Sequence, residues 1–206
     1  IFKKYGLNFK DLEKDFNTGN LVKAFKKDEK TKNYINVYAL MKLLGADSVS
    51  TIDVSPYENV DIIHDMSYPI KDKYHNKFDF IFDSGSLEHI FNLPQALENI
   101  SKMLKVGGTF FLSVPSSNYI DHGFYSISPT LFFDYFGENG FEELRGYIRI
   151  GSSRIYDRKS TVYKFNHLGK ESFLVTSKAI ETNFIAKKTS KFNPEIIKMP
   201  IQKMYT

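Results

Sequence analysis

Apolar and polar positions change rhythm along this 206-residue chain, and the changes mark its elements. The most legible stretch runs from Phe78 to Pro115. Phe78-Asp79-Phe80-Ile81-Phe82 is a short apolar run ending at the turn formers Asp83-Ser84-Gly85-Ser86, which predicts a buried strand. Leu93, Ala96, Leu97, Ile100, Met103 and Leu104 then recur at helical spacing. Val106-Gly107-Gly108 reads as the stop of that helix, because glycine takes the left-handed conformation a C-cap uses. Thr109 to Val114 is a second apolar strand running into Pro115. The resulting β-α-β unit predicts two parallel strands in one sheet. In such sheets ligands sit beyond the carboxyl ends of the strands, where Asp83 and Ser116-Ser117-Asn118 fall.

The rest of the chain extends this pattern. Residues 1–33 read as a polar helical segment, a lid or insertion. Ile35, Val37, Tyr38, Leu40, Met41 and Leu44 form an apolar stripe on a helix from Tyr34 to Leu44, ended by Gly45. Ser48 to Val54 reads as a strand closing on Asp53, and Val60 to Ile63 as one closing on His64-Asp65-Met66. After Pro115 come a polar and aromatic loop to Ser128, a helix from Pro129 to about Gly137, and a strand from Phe141 to Ile150. Residues 152–180 read as an insertion or hairpin, Glu181 to Lys188 as a final strand, and Phe192 to Thr206 as a surface strap. No repeat or long linker divides the chain. The expectation is one α/β domain over residues 1–206, with a doubly wound, mostly parallel sheet.

Composition narrows the function classes. The chain has no cysteine, which excludes disulfides, cysteine-zinc sites and a thiol nucleophile, and fits a reducing, cytoplasmic setting. No apolar run approaches the roughly 18 residues of a membrane span, and no signal peptide is visible. The net charge of +4 comes from scattered lysines, which read as a solvated face rather than a nucleic-acid footprint. The first residue is Ile1, so a fragment or a trimmed chain is expected.

The residues already quoted carry a resemblance. A strand of the form FDxIxxxxxLEH, a helix, and then LKxGGxxxxxxP resembles the second half of class I S-adenosylmethionine-dependent methyltransferases. Asp79, Leu87-Glu88-His89, Leu104-Lys105, Gly107-Gly108 and Pro115 stand in those places. The likeness extends from Ser48 to about Lys188, roughly two thirds of the chain, and rests on the order of several pieces rather than on any one. It implies a Rossmann-like sheet of the seven-stranded type, with the strands at Phe141–Ile150 and Glu181–Lys188 as its terminal antiparallel pair. It also implies S-adenosylmethionine as cofactor and methyl transfer by in-line displacement to a small-molecule or sugar acceptor. The family's glycine-rich loop, acid-x-Gly-x-Gly, is absent. Either the first strand and its loop lie upstream of Ile1, or a divergent version is used, or binding is lost. The sequence resembles a divergent bacterial branch whose first strand ends in Gly-Arg-Gln, which would place that strand just before Ile1.

Candidate site residues follow. An acid ending a strand can accept bonds from ribose hydroxyls, which singles out Asp53, with Val54 and Ser55 beside it. The competing reading of Asp53 is an Asx-turn or N-cap aspartate. The resemblance sets Asp65 at the adenine amino group and Met66 at the adenine ring. His64 reads as a structural histidine, and with no second histidine at ligand spacing no metal is expected. Asp83, Ser84 and Gly85 stand where donor and acceptor should meet, with glycine allowing close approach. Asp83 or His89 could take a proton from the acceptor, although His89 reads equally as a backbone-bonded histidine at a strand-helix junction. Asn118, His122 and Tyr125 form the candidate acceptor side, against a competing reading as loop packing.

A non-catalytic relative with degraded cofactor binding would act as a partner or scaffold. A dinucleotide enzyme would need G-x-G-x-x-G after a first strand, which is absent. Methylation of DNA base amino groups is disfavoured because no Asn/Asp-Pro-Pro-Tyr motif occurs.

Overall fold

The computed structural model describes residues 37–56, 60–151, 160–168 and 174–203. The expected helical segment over residues 1–33, the start of the Tyr34 helix, residues 152–159 and 169–173 of the 152–180 segment and the last residues of the strap lie outside these. The chain forms two compact units, Ile1–Asp65 and Met66–Thr206.

In the first unit, helix α1 spans Val37–Leu43. Its end is a Schellman motif: Gly45, at φ +99°, donates to the Lys42 carbonyl and Ala46 donates to the Met41 carbonyl. Strands β1 (Ile52–Asp53) and β2 (Ile62–Ile63) pair in parallel, Ile52 opposite Ile62 and Asp53 opposite Ile63. Both are shorter than the apolar runs suggest. Asp61 accepts from the Thr51 amide at 2.8 Å and from the Tyr38 hydroxyl at 3.0 Å, which ties helix to strands.

The second unit holds strand β3 (Phe78–Ser84), helix α2 (Leu93–Met103), β4 (Leu104–Ser117), helix α3 (Pro129–Glu138), β5 (Phe141–Gly151), β6 (Thr161–Phe165) and β7 (Ala179–Lys188). Sheet order is β3-β4-β7-β5-β6. β3 and β4 are parallel, as a β-α-β crossover requires; β7 joins β4 antiparallel and pairs with β5, which pairs with β6, also antiparallel. The sheet is thus mixed, with a parallel β3–β4 pair from the β-α-β unit and the expected antiparallel pairing of β5 with β7. Alternation along β4 and β7 buries Phe110, Leu112, Val114, Phe184 and Ala186 with Leu97 and Ile100 of α2 and Phe132 and Phe136 of α3. Each of the larger side chains removed from water contributes about 1.5–3 kcal/mol, so this cluster is the anchor of the unit.

One sequence expectation is corrected here. Gly107-Gly108 does not cap α2. The helix ends at Met103, and Leu104 is already extended, at φ −67° and ψ 139°. The glycines lie inside β4, where the register jumps from Phe78–Leu104 to Phe80–Thr109. The surplus residues of β4 form a bulge, and Gly107 turns it with φ +85°. A β-carbon on Gly108 would lie 2.9 Å from the Lys105 carbonyl oxygen and 3.2 Å from that of Asp79, so only glycine fits. Lys105 Nζ closes the bulge on the Asp79 carboxylate at 2.8 Å.

Candidate functional site

β3 delivers the chain to its carboxyl end at Ser84. There Asp83, buried, accepts from the Ser86 amide at 3.0 Å through Oδ1 and from the Leu87 amide at 3.3 Å through Oδ2. Burial pushes its carboxyl up, and these two N–H groups pull against that. The aspartate therefore holds the following 3₁₀ turn, Leu87–His89, in place. Gly85 makes the corner at φ +89°.

That turn buries a carboxylate. Glu88 is 1% exposed, and neither Oε1 nor Oε2 has a hydrogen-bond partner among the described residues. Its nearest polar neighbours are His89 Nε2, 3.7 Å from Oε1, and His122 Nε2, 3.6 Å from Oε1. Burial raises the Glu88 carboxyl and the Asp83 charge raises it further, while the residue's own backbone N–H, too poorly aligned for a hydrogen bond, and the two imidazoles oppose this. The His89 and His122 rings stand 5.1 Å apart, each side chain 49% exposed. The turn thus presents a buried anion behind a half-open pair of imidazoles.

His122 arrives on the loop after β4. Asn118 and Asp121 take φ +63° and +59°, conformations these residue types tolerate, and Gly123 takes +76°. The loop then docks on the turn: the Phe124 and Tyr125 amides both donate to the Glu88 carbonyl, at 2.8 and 3.2 Å. A β-carbon on Gly123 would lie 2.8 Å from that carbonyl oxygen, so glycine is what lets the loop approach. The Tyr125 hydroxyl donates to the Phe91 carbonyl at 2.8 Å, and Asn118 donates to the Thr176 and Lys178 carbonyls, both at 2.7 Å. Of the three acceptor-side residues, the structure thus brings His122 to the Glu88 carboxylate and uses Asn118 and Tyr125 to fix the loop. Beside them Phe91 and Phe124 stay exposed, edge to face at 5.6 Å.

Next to His122, the Tyr119 ring is 5.4 Å away and its hydroxyl donates to Glu181 at 2.6 Å. Arg149 pairs with the same carboxylate at 2.5 Å. Burial and this carboxylate drive the Tyr119 hydroxyl far up, so it stays a proton donor.

The cofactor candidates divide between the units. In the first, Asp53 ends β1, exposed, and its Oδ1 accepts the Ser55 amide at 2.8 Å, an Asx turn. Its other oxygen has no hydrogen bond among the described residues, which leaves an acceptor for a hydroxyl. Val54 is exposed beside it, and Asp65 is half-buried. In the second, Met66 packs against the core. Its carbonyl accepts from Asn99, which also donates to the Tyr68 carbonyl and accepts the Ile70 amide. Ser84 is exposed at the end of β3.

Sequence reasoning missed Glu88 as a site residue and Asn99 as the clamp on residues 66–70. Asn99 had a signal: it is the polar member of the stripe Ala96, Ile100, Met103. The expectation of no metal site rested on local spacing. The docked loop brings Glu88, His89 and His122 together, a grouping that local spacing does not show, with their donor atoms within 4.8 Å of one another.

A family model described as a methyltransferase domain matches residues 18–163, well over half the chain. A crystal structure from Thermotoga maritima, described as a SAM-dependent methyltransferase, possible histamine N-methyltransferase, is similar at 16% identity and a TM-score of 0.42. That match covers 60% of this chain and 61% of the other, so this chain spans less than two thirds of that relative. No curated protein sequence matches.

Proposed function

Because the chain belongs to the methyltransferase-domain family, we propose that it transfers a methyl group from S-adenosylmethionine to a small-molecule or sugar acceptor. The observation that carries this reading is the family match across both units. The cofactor supplies an electrophilic methyl carbon on a sulfonium, which an acceptor lone pair displaces in line. The chain's residues bind, orient and desolvate. Asp53, with one carboxylate oxygen spare, would accept from the ribose hydroxyls. In the first unit Val54, Ser55 and Asp65 stand with it as adenosine candidates; in the second, Met66 is the candidate for the adenine ring, its carbonyl held by Asn99. Ser84 and Gly85 would border the reacting end.

The acceptor would meet the face made by the turn and the docked loop. His89 and His122 are the groups there able to take a proton, since Asp83 spends both oxygens on the turn. The exposed rings of Phe91 and Phe124 suit an acceptor with an apolar or sugar face. No described helix is long and apolar enough to cross a membrane. A chain without cysteine fits the cytoplasm.

Calorimetric titration with S-adenosylmethionine and S-adenosylhomocysteine tests the reading. Saturable binding is expected, and Asp53→Ala should weaken it by about 1.5–3 kcal/mol, the range for hydrogen bonds to a charged group. Unchanged affinity in that variant removes the ribose assignment. No binding by the folded protein favours the non-catalytic partner reading.

A further inference from the structure

A carboxylate that is 1% exposed, with no hydrogen bond to either oxygen among the described residues, is a liability for a fold. Its imidazole neighbours are too far to bond it, at 3.6 and 3.7 Å, yet point their Nε2 atoms toward one oxygen. That spacing has an explanation in coordination chemistry. Around a tetrahedral Zn²⁺ with bonds near 2.0–2.1 Å, neighbouring donor atoms lie about 3.3 Å apart. Each imidazole lies 3.6–3.7 Å from the carboxylate oxygen, and the three donors fall within 4.8 Å of one another, an open arrangement that small movements of the two half-exposed rings would close around an ion. A hydrogen-bonded cluster would be tighter, and three unrelated surface groups would not share a buried anion.

We propose that Glu88, His89 and His122 form a binding site for one divalent ion of the Zn²⁺ class. Two imidazoles and one carboxylate suit a borderline ion and poorly suit Mg²⁺ or Ca²⁺, which favour all-oxygen shells. The backbone is built for it. Gly85 leaves room at the carboxylate, where a β-carbon would come within 3.2 Å of Glu88 Oε1, and Gly123 lets the loop bring His122 in. Three protein ligands leave a fourth position, and the half-exposed rings put it on the solvent side.

The fourth position would take an oxygen donor, which names the acceptor class on the methyl-transfer reading above: a hydroxyl-bearing molecule. Coordination lowers the pKa of a bound hydroxyl, so its proton leaves to water, and the two imidazoles, held to the ion through Nε2, replace the proton-accepting role given them above with a ligating one. Methyl transfer then forms one C–O bond and breaks one C–S bond, the electron pair remaining on sulfur.

The experiment uses the whole chain, stripped by a chelator and then titrated with Zn²⁺ or Mg²⁺ by calorimetry, with melting recorded in parallel. One equivalent of Zn²⁺ is expected to bind and raise the melting temperature, with no response to Mg²⁺ at the same concentration. Glu88→Gln and His122→Asn should each weaken Zn²⁺ at least about 10-fold with far-UV circular dichroism unchanged. Acetohydroxamate, a chelating oxygen donor, should bind the zinc-loaded protein and not the stripped one. Absence of Zn²⁺ binding, or full affinity in Glu88→Gln, overturns the proposal, the latter because a surface histidine pair needs no buried carboxylate. Should Glu88→Gln not fold, His89→Asn and His122→Asn decide by the same criterion. Zinc binding without S-adenosylmethionine binding would retire the methyl-transfer reading and leave the metal site; the reverse result would do the opposite.

Discussion

At the starting end of the β3–β4 pair, Asp79 and Lys105 close on each other across the bulge, and Lys188 donates to the Leu104 carbonyl at 2.6 Å and to Asn76 at 3.0 Å. At the finishing end, Glu88 is as buried as Lys188, 1% against 2% exposed, and has no such bonds. Both ends carry glycines that nothing else could replace. At the starting end Gly108 makes room for the Lys105 and Asp79 carbonyls, and at the finishing end Gly123 makes room for the Glu88 carbonyl. The difference teaches where the chain is finished as a structure and where it waits for something. A satisfied buried ion belongs to the scaffold, whereas an unsatisfied one points to a ligand.

Substitutions can break or sharpen this contrast. The largest effect is expected at the finishing end. Glu88→Gln should cut turnover by about 100-fold or more, close to 3 kcal/mol, while the urea midpoint stays level or rises, because a buried unpaired charge has gone. A matching loss of stability would place Glu88 with the scaffold. Next comes Gly108→Val, which forces a β-carbon against two carbonyl oxygens. A loss of about 2–3 kcal/mol in denaturant unfolding is expected, with zinc and cofactor affinity per folded molecule unchanged. A tolerated valine would mean that the bulge can relax.

Lys188 gives a pH signature. Burial drops its ammonium to about 8, and among the described residues the cation has no carboxylate partner, only two neutral oxygens and the face of the Phe192 ring at 4.3 Å. The folded value lies below the unfolded one, so the charged form costs stability. That cost is full below about pH 8 and disappears as pH rises through the unfolded value near 10.4. Melting temperature should therefore climb between about pH 8 and pH 10, and Lys188→Met should lose that climb. The smallest effect belongs to Asp79→Ala. Its ion pair with Lys105 lies at the surface, so less than about 1 kcal/mol is expected in the same urea assay, shrinking further in salt.

Much of the starting end could be read from the sequence because its parts are local or periodic. The strand Phe78–Phe82, the α2 stripe, the glycine pair and the β4 run all announce themselves within a few residues. What misled was the job of the glycines. Helical spacing continues through Leu104, so nothing local says that the chain turns extended one residue after Met103. Lys188 and Asn99 had a signal of another kind, each a polar residue on the inward face of its element. The finishing end was legible only in pieces. Asp83, Gly85, His89 and His122 stood out by type and position, but their grouping depends on a loop whose docking bonds run from backbone amides to a backbone carbonyl. Backbone pairing between distant segments leaves little mark on residue identity, so the meeting of His122 with Glu88 had to be seen in three dimensions.

The two amides that close on the Glu88 carbonyl also make a clock. Phe124 and Tyr125 share one acceptor, so lifting the loop releases both at once. Their hydrogen exchange should follow a single opening event, at one rate, distinct from that of the sheet. Anything that seats itself against His122 would slow both amides together. Occupancy of this face can thus be timed from within the chain, before any product has been identified.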